Sequence, residues 1–271
     1  MIFRKFLGFL TVTLLGCGSG NLTLVCDLPK SLNEVSGIAS TANQKSFWMI
    51  EDSGNPDHIY KVSTSGKIIH EVNLDKSVKN TDWEALTSDE NGNLYIGDFG
   101  NNNEKRKSYQ IYEVSAKDLN SKNTVSAKKI SFKLPKKQKA LDFEAFFLMN
   151  NAFYIFSKEK LKTRVWKVPN LIGTQTAIPV TTFLFNENGN KITDAAINQK
   201  QNTIALLNHD SVWILKDFVG DAIFEGTILQ LPFAHESQKE GLCFSDDDIL
   251  YITDERVKAH GGKLYTFPLE P

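Results

Sequence analysis

The segment Asp82 to Asp98, DWEALTSDENGNLYIGD, contains two short motifs whose recurrence decides the fold of this chain. The first motif is the acidic triplet Glu84-Ala85-Leu86, and related triplets begin at Ser36, Glu144, Asp194 and Glu240. The second motif is an apolar strand with a polar end, and its copies end at Asp52, Asp98, Ser157, Asn208 and Asp254. Successive copies lie about 45 to 60 residues apart, which is the repeat length of a β-propeller blade.

Each repeat divides into four short strands, which we name A to D from the start of the repeat. In the first repeat, strands A to D cover residues 37–40, 47–51, 58–63 and 67–74. No segment has the periodicity of an amphipathic helix of about ten residues or more. We therefore predict an all-β, five-bladed β-propeller with four-stranded blades. Six blades would need roughly 40 residues each, and the number of motifs does not support them.

The fifth repeat lacks a fourth strand, because its strand C ends at Phe267 and the chain stops at Pro271. The alternating segment Leu22 to Leu28 precedes the first repeat and resembles the D strands of the other repeats. We predict that this N-terminal segment supplies strand D of the last blade. Closing the ring in this way removes the exposed strand edge that an open array would have.

The N-terminus has the composition of an export signal. Arg4 and Lys5 precede an apolar run from Phe6 to Leu15 that is too short to span a bilayer. The run ends at Leu14-Leu15-Gly16-Cys17, which resembles a bacterial lipobox, and an ordinary cleaved signal is the alternative. We expect residues 1–20 to be a lipoprotein signal peptide and short tether, and residues 21–271 to be the propeller. A lipidated Cys17 would hold the protein on a membrane of the cell envelope, on its periplasmic or cell-surface side.

The charge and the cysteines of the chain bear on two questions: whether it binds nucleic acid, and whether it forms a disulfide. The net charge is −1, so nothing suggests a nucleic-acid partner, and we expect a monomer. The basic cluster from Lys128 to Lys139 is typical of lysines that protect an exposed blade edge from pairing. Cys26 and Cys243 fall on the outermost and innermost strands of one blade, too far apart for a disulfide, so we expect two buried thiols.

The two recurring polar positions meet at one end of the propeller channel, which we call the mouth. Strand A lines the channel and strand B runs antiparallel to it, so the start of A and the end of B open on the same face. The acidic triplets place Glu84, Glu144, Asp194 and Glu240 there, with Ser36 in the fifth position. Oxygen ligands without cysteine match Ca²⁺, so we predict these four acids as metal ligands.

Facing carboxylates repel by about 2 kcal/mol per pair at ~7 Å and an effective dielectric of 20. A cation, raised pKa values, or ion pairs with Lys158, Lys239 and Arg106 would offset that repulsion. The alternative is that each acid accepts backbone N–H groups of the neighbouring blade and joins the ring together. The residues that we predict to bind a ligand around this mouth are Asp52, Asn55, Asp98, Asn101, Arg106, Asn208 and Asp254.

The first two repeats also carry a resemblance to a known family. Asp52-Ser53-Gly54-Asn55-Pro56, Asp82-Trp83-Glu84 and Tyr95-Ile96-Gly97-Asp98, with Asn101 and Arg106 downstream, resemble exported bacterial propeller proteins of largely unassigned function. The chain is similar in particular to the SdiA-regulated envelope-protein family. The resemblance implies a propeller fold and an extracytoplasmic location, and it implies no established activity.

Three functions remain open at this point. The first is a membrane-anchored propeller that binds a divalent cation, a small molecule or a protein at its acidic mouth. The second is a calcium-dependent hydrolase, of lactonase, esterase or phytase-like type, with Glu84 or Glu144 as base and His209 or Lys158 assisting. The third is a structural scaffold with no cation dependence. Fold alone does not decide between them, because propellers support both binding and catalysis.

Overall fold

A computed structural model describes residues 22–41, 44–185, 191–245 and 249–269 of the chain. The predicted signal peptide and Cys17 lie outside the described residues. The first elements in chain order are β1 (Thr23–Asp27), β2 (Val35–Ser40), β3 (Ser46–Glu51), β4 (His58–Ser63) and β5 (Ile68–Leu74). They are followed by β6 (Trp83–Ser88), β7 (Leu94–Asp98), β8 (Tyr109–Val114), α1 (Ala116–Leu119), β9 (Thr124–Val125) and β10 (Lys128–Lys133).

The second half of the chain contains only strands within the described ranges. Its first strands are β11 (Phe143–Met149), β12 (Ala152–Ser157), β13 (Lys162–Pro169), β14 (Gly173–Thr176) and β15 (Ile178–Leu184). The last strands are β16 (Asp194–Asn198), β17 (Thr203–Leu207), β18 (Ser211–Lys216), β19 (Thr227–Pro232), β20 (Lys239–Phe244), β21 (Ile249–Asp254) and β22 (Lys263–Pro268). None of the described helices is long and apolar enough to cross a bilayer.

The strands form five sheets, and the sheets are the blades of a five-bladed β-propeller. Blades 1 to 5 begin at β2, β6, β11, β16 and β20, which are the A strands around the channel. The predicted fold is therefore confirmed, and the strand C of blade 1 has the predicted bounds. Two short strands were not predicted: β9 adds to β5 and β14 adds to β10, each in parallel.

The N-terminal strand closes the ring as predicted. β1 pairs antiparallel with β22, from Thr23 opposite Thr266 to Asp27 opposite Lys263, and becomes the outer strand of blade 5. Arg256 strengthens the junction, since its Nη2 donates to Leu28 O at 2.8 Å. Cys26 and Cys243 are both free thiols on opposite edges of this blade. Cys243 is buried but Cys26 is only half-buried, because β1 faces solvent on its outer side.

Hydrophobic packing lies between the blades. Five clusters of buried side chains each combine residues of two adjacent blades, so every blade is attached to both of its neighbours. Between blades 2 and 3, for example, the rings of Phe99 and Phe146 meet edge to face with centroids 5.2 Å apart. The alternating apolar residues of the strands supply these faces. This rigid ring holds the starts of the five A strands around one mouth.

Candidate functional site

Strand A carries a β-bulge at its start in four of the five blades. In β2, β6, β11 and β20 one residue is skipped in the pairing with strand B. The skipped residues are Ser36, Glu84, Glu144 and Glu240. A bulge bends the strand and re-aims the side chain of the extra residue. Three of the predicted metal ligands therefore owe their position at the mouth to a bulge.

Blade 4 is the exception. Asp194 pairs with Leu207 in an unbroken ladder, so β16 has no bulge at its start. The Asp194 carboxylate is fully buried, and its Oδ2 accepts the backbone N–H of Leu242 in blade 5 at 2.6 Å while Oδ1 accepts that of Ala195 at 2.8 Å. Burial raises the pKa of Asp194 well above its usual range. Both carboxylate oxygens already accept a backbone N–H, so Asp194 joins blades 4 and 5. We therefore leave it out of the proposed cation site.

Glu144 and Glu84 lie side by side, and Lys158 neutralises one of them. Lys158 Nζ stands 2.8 Å from Glu144 Oε2, and this interaction with Glu144, followed by that with Glu240, outweighs burial and raises the pKa of the lysine. The carboxyl groups of Glu84 and Glu144 share a hydrogen bond, and no described amide, hydroxyl or amine donates to Glu144 Oε1. Burial, and then the charge of Glu144, raise the pKa of Glu84 well above its usual range. Burial also raises the pKa of Glu144, to about 8, although the charge of Lys158 opposes that shift.

Asp52, Asp82 and Glu84 form a compact oxygen cluster, which we call the mouth triad. One carboxylate oxygen from each lies within 4.8 Å of the other two. Asp52 follows the last residue of β3 in blade 1, whereas Asp82 and Glu84 stand at the start of β6 in blade 2. Burial, and then the charge of Asp82, raise the pKa of Asp52 to about 6. The triad is thus a set of hard oxygen ligands at a blade junction.

Two residues hold the triad in place. Asn80 Nδ2 donates to Asp52 O at 2.8 Å, and Asn80 Oδ1 accepts the N–H of Trp83 at 3.1 Å, so one side chain joins the two ligand segments. Gly100 backs the carboxylates, because a Cβ at this position would overlap Glu84 Oε1 and stand 2.6 Å from Asp82 Oδ2. Any other residue at 100 would displace both acids.

His209 of blade 4 and Glu240 of blade 5 form a second polar pair at the mouth. His209 Nε2 is 2.9 Å from Glu240 Oε1, and the histidine side chain is 42% exposed, so it is accessible from solvent. Burial, and then the charge of Glu240, raise the pKa of the neighbouring Glu255 to about 7. The predicted residues Glu84, Glu144, Lys158, His209 and Glu240 therefore do come together at one face.

Most residues at the second recurring position, the polar end of strand B, form hydrogen bonds within their own blade and do not point into the mouth. Asp254 Oδ1 accepts the N–H of Lys263 at 2.8 Å, and Asn208 Oδ1 accepts that of Ser211 at 2.7 Å. Ser157 Oγ likewise accepts the N–H of Arg164 at 2.8 Å. Each side chain bends back onto the start of strand C in its own blade. Of this set, only Asp52 belongs to the mouth triad.

The remaining predicted ligand residues organise loops. Asp98 is buried and pairs with Arg106, whose Nη1 lies 2.9 Å from Oδ1. Asn101 is buried, with its Oδ1 accepting the N–H groups of Lys105 and Arg106. Asn55 Nδ2 donates to Glu34 Oε2 at 2.7 Å at the edge of the face. These contacts occupy most of the polar atoms that we expected to bind a ligand, whereas Asp98 Oδ2 is buried without a hydrogen-bond partner among the described residues.

Asp82 and Gly100 are not among the site residues predicted from the sequence. Asp82 precedes Glu84 by two residues, so the two side chains leave the strand on the same face. That spacing was the available signal for Asp82. Gly100 gives no such signal, because its role depends on how closely the loop after β7 approaches β6.

The architecture and the site together define the class of this protein: a five-bladed β-propeller with an acidic channel mouth. The sequence profile described as SdiA-regulated matches residues 25–258, and the chain belongs to that family. No curated protein matches the chain in sequence.

Solved structures share the fold at low sequence identity. The PQQ-bound form of aldose sugar dehydrogenase from Streptomyces coelicolor is 9% identical with a TM-score of 0.52, covering 91% of this chain and 97% of that one. A catalytically inactive virginiamycin B lyase from Staphylococcus aureus with quinupristin is 15% identical with a TM-score of 0.46, covering 87% of this chain and 66% of that one. U3-55K is 11% identical with a TM-score of 0.47, covering 90% and 98%. These similarities concern the propeller fold alone.

Proposed function

We propose that this chain is a membrane-anchored, extracytoplasmic propeller that binds a divalent cation, Ca²⁺ in the first instance, at the mouth triad. The bound cation would present an open coordination position to a small-molecule or protein ligand. The observation that carries the proposal is the approach of three carboxylate oxygens within 4.8 Å of one another in front of Gly100. Lipidation of Cys17 would provide the anchor, and the protein would act as a monomer without nucleic acid.

The charge balance at the mouth supports a cation. Two ionised carboxylates of the triad 4.8 Å apart repel by about 3 kcal/mol at an effective dielectric of 20. Lys158 relieves this repulsion only in part, because its ammonium group is held on Glu144 and acts on Glu84 from a longer distance. A divalent cation would offset two of the three negative charges of the ionised triad, and it would favour loss of protons from Asp52 and Glu84, whose pKa values are raised in its absence.

The test is thermal unfolding of the chain without residues 1–20, first in EDTA and then with increasing Ca²⁺, Mg²⁺ or Mn²⁺. A ligand at a hundredfold excess over its Kd stabilises the native state by about 2.7 kcal/mol. We expect Ca²⁺ to raise the midpoint, Glu84→Gln to abolish the rise, and the exposed control Glu90→Gln to retain it. If no divalent cation moves the midpoint of the wild-type protein, the proposal fails and the scaffold function gains support.

The anchor has a separate test. Cys17→Ser should move the protein from the membrane fraction to the soluble fraction of the cell envelope, because a lipobox without its cysteine cannot be acylated. A protein that stays in the membrane fraction after this change would be anchored in another way.

A hydrolase is the second candidate, and the position of Glu144 beside Glu84 of the mouth triad favours it. A carbonyl or phosphoryl oxygen bound at the triad would lie next to Glu144, which could accept a proton from water, with Lys158 or His209 assisting. Turnover of lactones, esters or phosphoesters that depends on Ca²⁺ and is lost in Glu144→Gln would support this function. If none of these substrates is turned over, the hydrolase is contradicted and the cation-binding propeller remains the proposed function.

A further inference from the structure

The basic cluster from Lys128 to Lys139 does not protect an open edge along its strand. β14 pairs with the outer edge of β10 from Ile130 opposite Gly173 to Lys133 opposite Thr176. That edge is therefore already covered, contrary to the expectation from the sequence. Lys136, Lys137 and Lys139 lie beyond β10, in the connection to blade 3, where no strand is formed. Because these three lysines are not on a strand, the protection of a strand edge does not explain them.

Several of these lysines line a cavity that is formed by blade 2 and the connection to blade 3. The cavity has a volume of about 490 Å³ and lies between the loop after β7, the end of β10 and the connection that follows. Its basic residues are Arg106, Lys107, Lys133, Lys136 and Lys139, and Glu104 is the one acid among its described lining residues. Tyr109 and Leu134 give it an apolar wall. This volume is in the range of sites for small molecules, about 300 to 1,000 Å³.

The positive charge around this cavity is not compensated by the protein. Lys128, outside the cavity, pairs with Glu113 at 2.6 Å. By contrast, among the described residues no carboxylate forms an ion pair with Lys107, Lys133, Lys136 or Lys139. Arg106 is the exception, because Asp98 neutralises it. Clustered cations repel one another, so an anion in the cavity would be bound favourably.

A second cavity next to the first is also lined by basic side chains. Pro135 and Gln138 line both cavities. The second cavity has a volume of about 530 Å³, is lined by Lys137 and Arg164, and has no acid among its described lining residues. Trp166 also lines it, and its indole N–H is buried without an acceptor. The two cavities together are lined by seven basic side chains and one acid among the described residues, and one of the seven, Arg164, is paired with Glu159 at 3.2 Å.

We infer that the cavity lined by Lys133, Lys136 and Lys139 binds a small molecule that carries phosphate groups. Lysine ammonium groups are compact point charges that suit phosphate oxygens, and the wall of Tyr109 and Leu134 would contact an apolar part of the ligand. The site is independent of the proposed cation. It adjoins the mouth, however, because Arg106 Nη1 donates at 3.0 Å to the carbonyl of Gly100, the residue behind the mouth triad.

The test uses calorimetric titration of the full chain with two probes, inorganic pyrophosphate and a short-chain phosphatidic acid below its micelle concentration. We expect one site, with at least about tenfold weaker binding in the double variant Lys136→Gln and Lys139→Gln. The matched control Lys129→Gln, an exposed lysine outside the cavity, should change the affinity by less than about twofold. Because all three lysines are exposed, the variants should unfold at the wild-type temperature.

The two probes identify the source of the phosphate. Tighter binding of pyrophosphate points to a free phosphorylated molecule, and tighter binding of phosphatidic acid points to a lipid headgroup. Either result supports the site when the double variant loses it. Absence of binding for both probes at millimolar concentration, or equal losses in Lys129→Gln and the double variant, would overturn the inference. Titrations in EDTA separate this result from the fate of the cation proposal.

Discussion

Lys158 and Glu144 form an ion pair across the start of blade 3, with 2.8 Å between Nζ and Oε2. Glu144 is the bulged residue of β11 and Lys158 directly follows β12, so the pair joins the A and B strands of one blade at the mouth. The glutamate side chain is 2% exposed and that of the lysine 19%, so water screens the pair only weakly. The pair holds the ammonium group of Lys158 on Glu144, so its charge acts on the mouth triad only at longer range, through Glu84.

Removing Lys158 should therefore cost stability. We expect Lys158→Met to lower the free energy of unfolding by about 2 to 4 kcal/mol, because it leaves a buried carboxylate without its partner. Urea unfolding in EDTA measures the loss. The double variant Lys158→Met with Glu144→Gln should recover part of it, since the buried charge is then gone. A double variant as unstable as the sum of the single variants would show that the two side chains do not interact energetically.

Asp194 should behave differently from the bulged acids. Asp194→Ala would leave the N–H groups of Ala195 and Leu242 buried without acceptors, and we expect a loss of about 2 to 4 kcal/mol. The stabilisation by Ca²⁺ should remain as large as in the wild-type protein. Unfolding with and without Ca²⁺ gives both quantities. Loss of the Ca²⁺ effect in Asp194→Ala, with the fold retained, would place Asp194 back in the cation site.

The fold could be predicted because repetition and alternation are properties of the chain itself. The five recurring triplets predict the number of blades. The fifth repeat has only three strands, which predicts that the N-terminal segment supplies its fourth. The short strands β9 and β14 could not be predicted, because Thr124–Val125 and Gly173–Thr176 have neither the length nor the apolar alternation of a blade strand. They are held by the edge that each one covers.

The site was less predictable, because identical positions in the repeats have different surroundings. Glu84 and Asp194 are both the first residue of the recurring triplet. A β-bulge directs Glu84 towards the mouth, whereas Asp194 lies in an unbroken ladder and accepts backbone N–H groups. Asp52 and Asp254 likewise occupy one repeat position, yet Asp254 bends back to the N–H of Lys263. Bulges and bends of this kind depend on contacts between blades, and no short motif records them.

Closure of the ring by β1 predicts a sharp effect of N-terminal truncation. Removal of residues 1–27 should destabilise the protein by at least about 3 kcal/mol, because the side chain of Leu22 is lost from the core and β22 loses its pairing with β1. Removal of residues 1–20 should leave stability unchanged. Urea unfolding measures the difference, and hydrogen exchange should show faster exchange in β22. Equal stability of the two truncated proteins would mean that β1 contributes little to closure.

The raised pKa of Glu255, about 7, predicts a pH dependence of stability in EDTA. The native protein binds more protons than the unfolded chain between about pH 4.3, the usual pKa of a glutamate, and pH 7, so the free energy of unfolding falls as the pH rises across this window. We expect Glu255→Gln to reduce the fall between pH 5 and pH 7.5 by on the order of 1 kcal/mol, because the group is only partly withdrawn from water. Urea unfolding at the two pH values checks it. A slope unchanged by the substitution would assign the effect to other groups.

Gly100 offers the sharpest separation between the cation site and the fold. In Gly100→Ala the new methyl group would overlap Glu84 Oε1 and crowd Asp82 Oδ2, so both carboxylates must shift from their positions in the mouth triad. We expect the midpoint shift with Ca²⁺ to be lost. The control Gly220→Ala has open space around its Cβ and a positive φ of +56°, so it should lose about 1 kcal/mol of stability and retain the shift. Circular dichroism of Gly100→Ala at low temperature would establish that the propeller is intact. A full Ca²⁺ shift in an intact Gly100→Ala protein would mean that the cation binds elsewhere than at Asp52, Asp82 and Glu84.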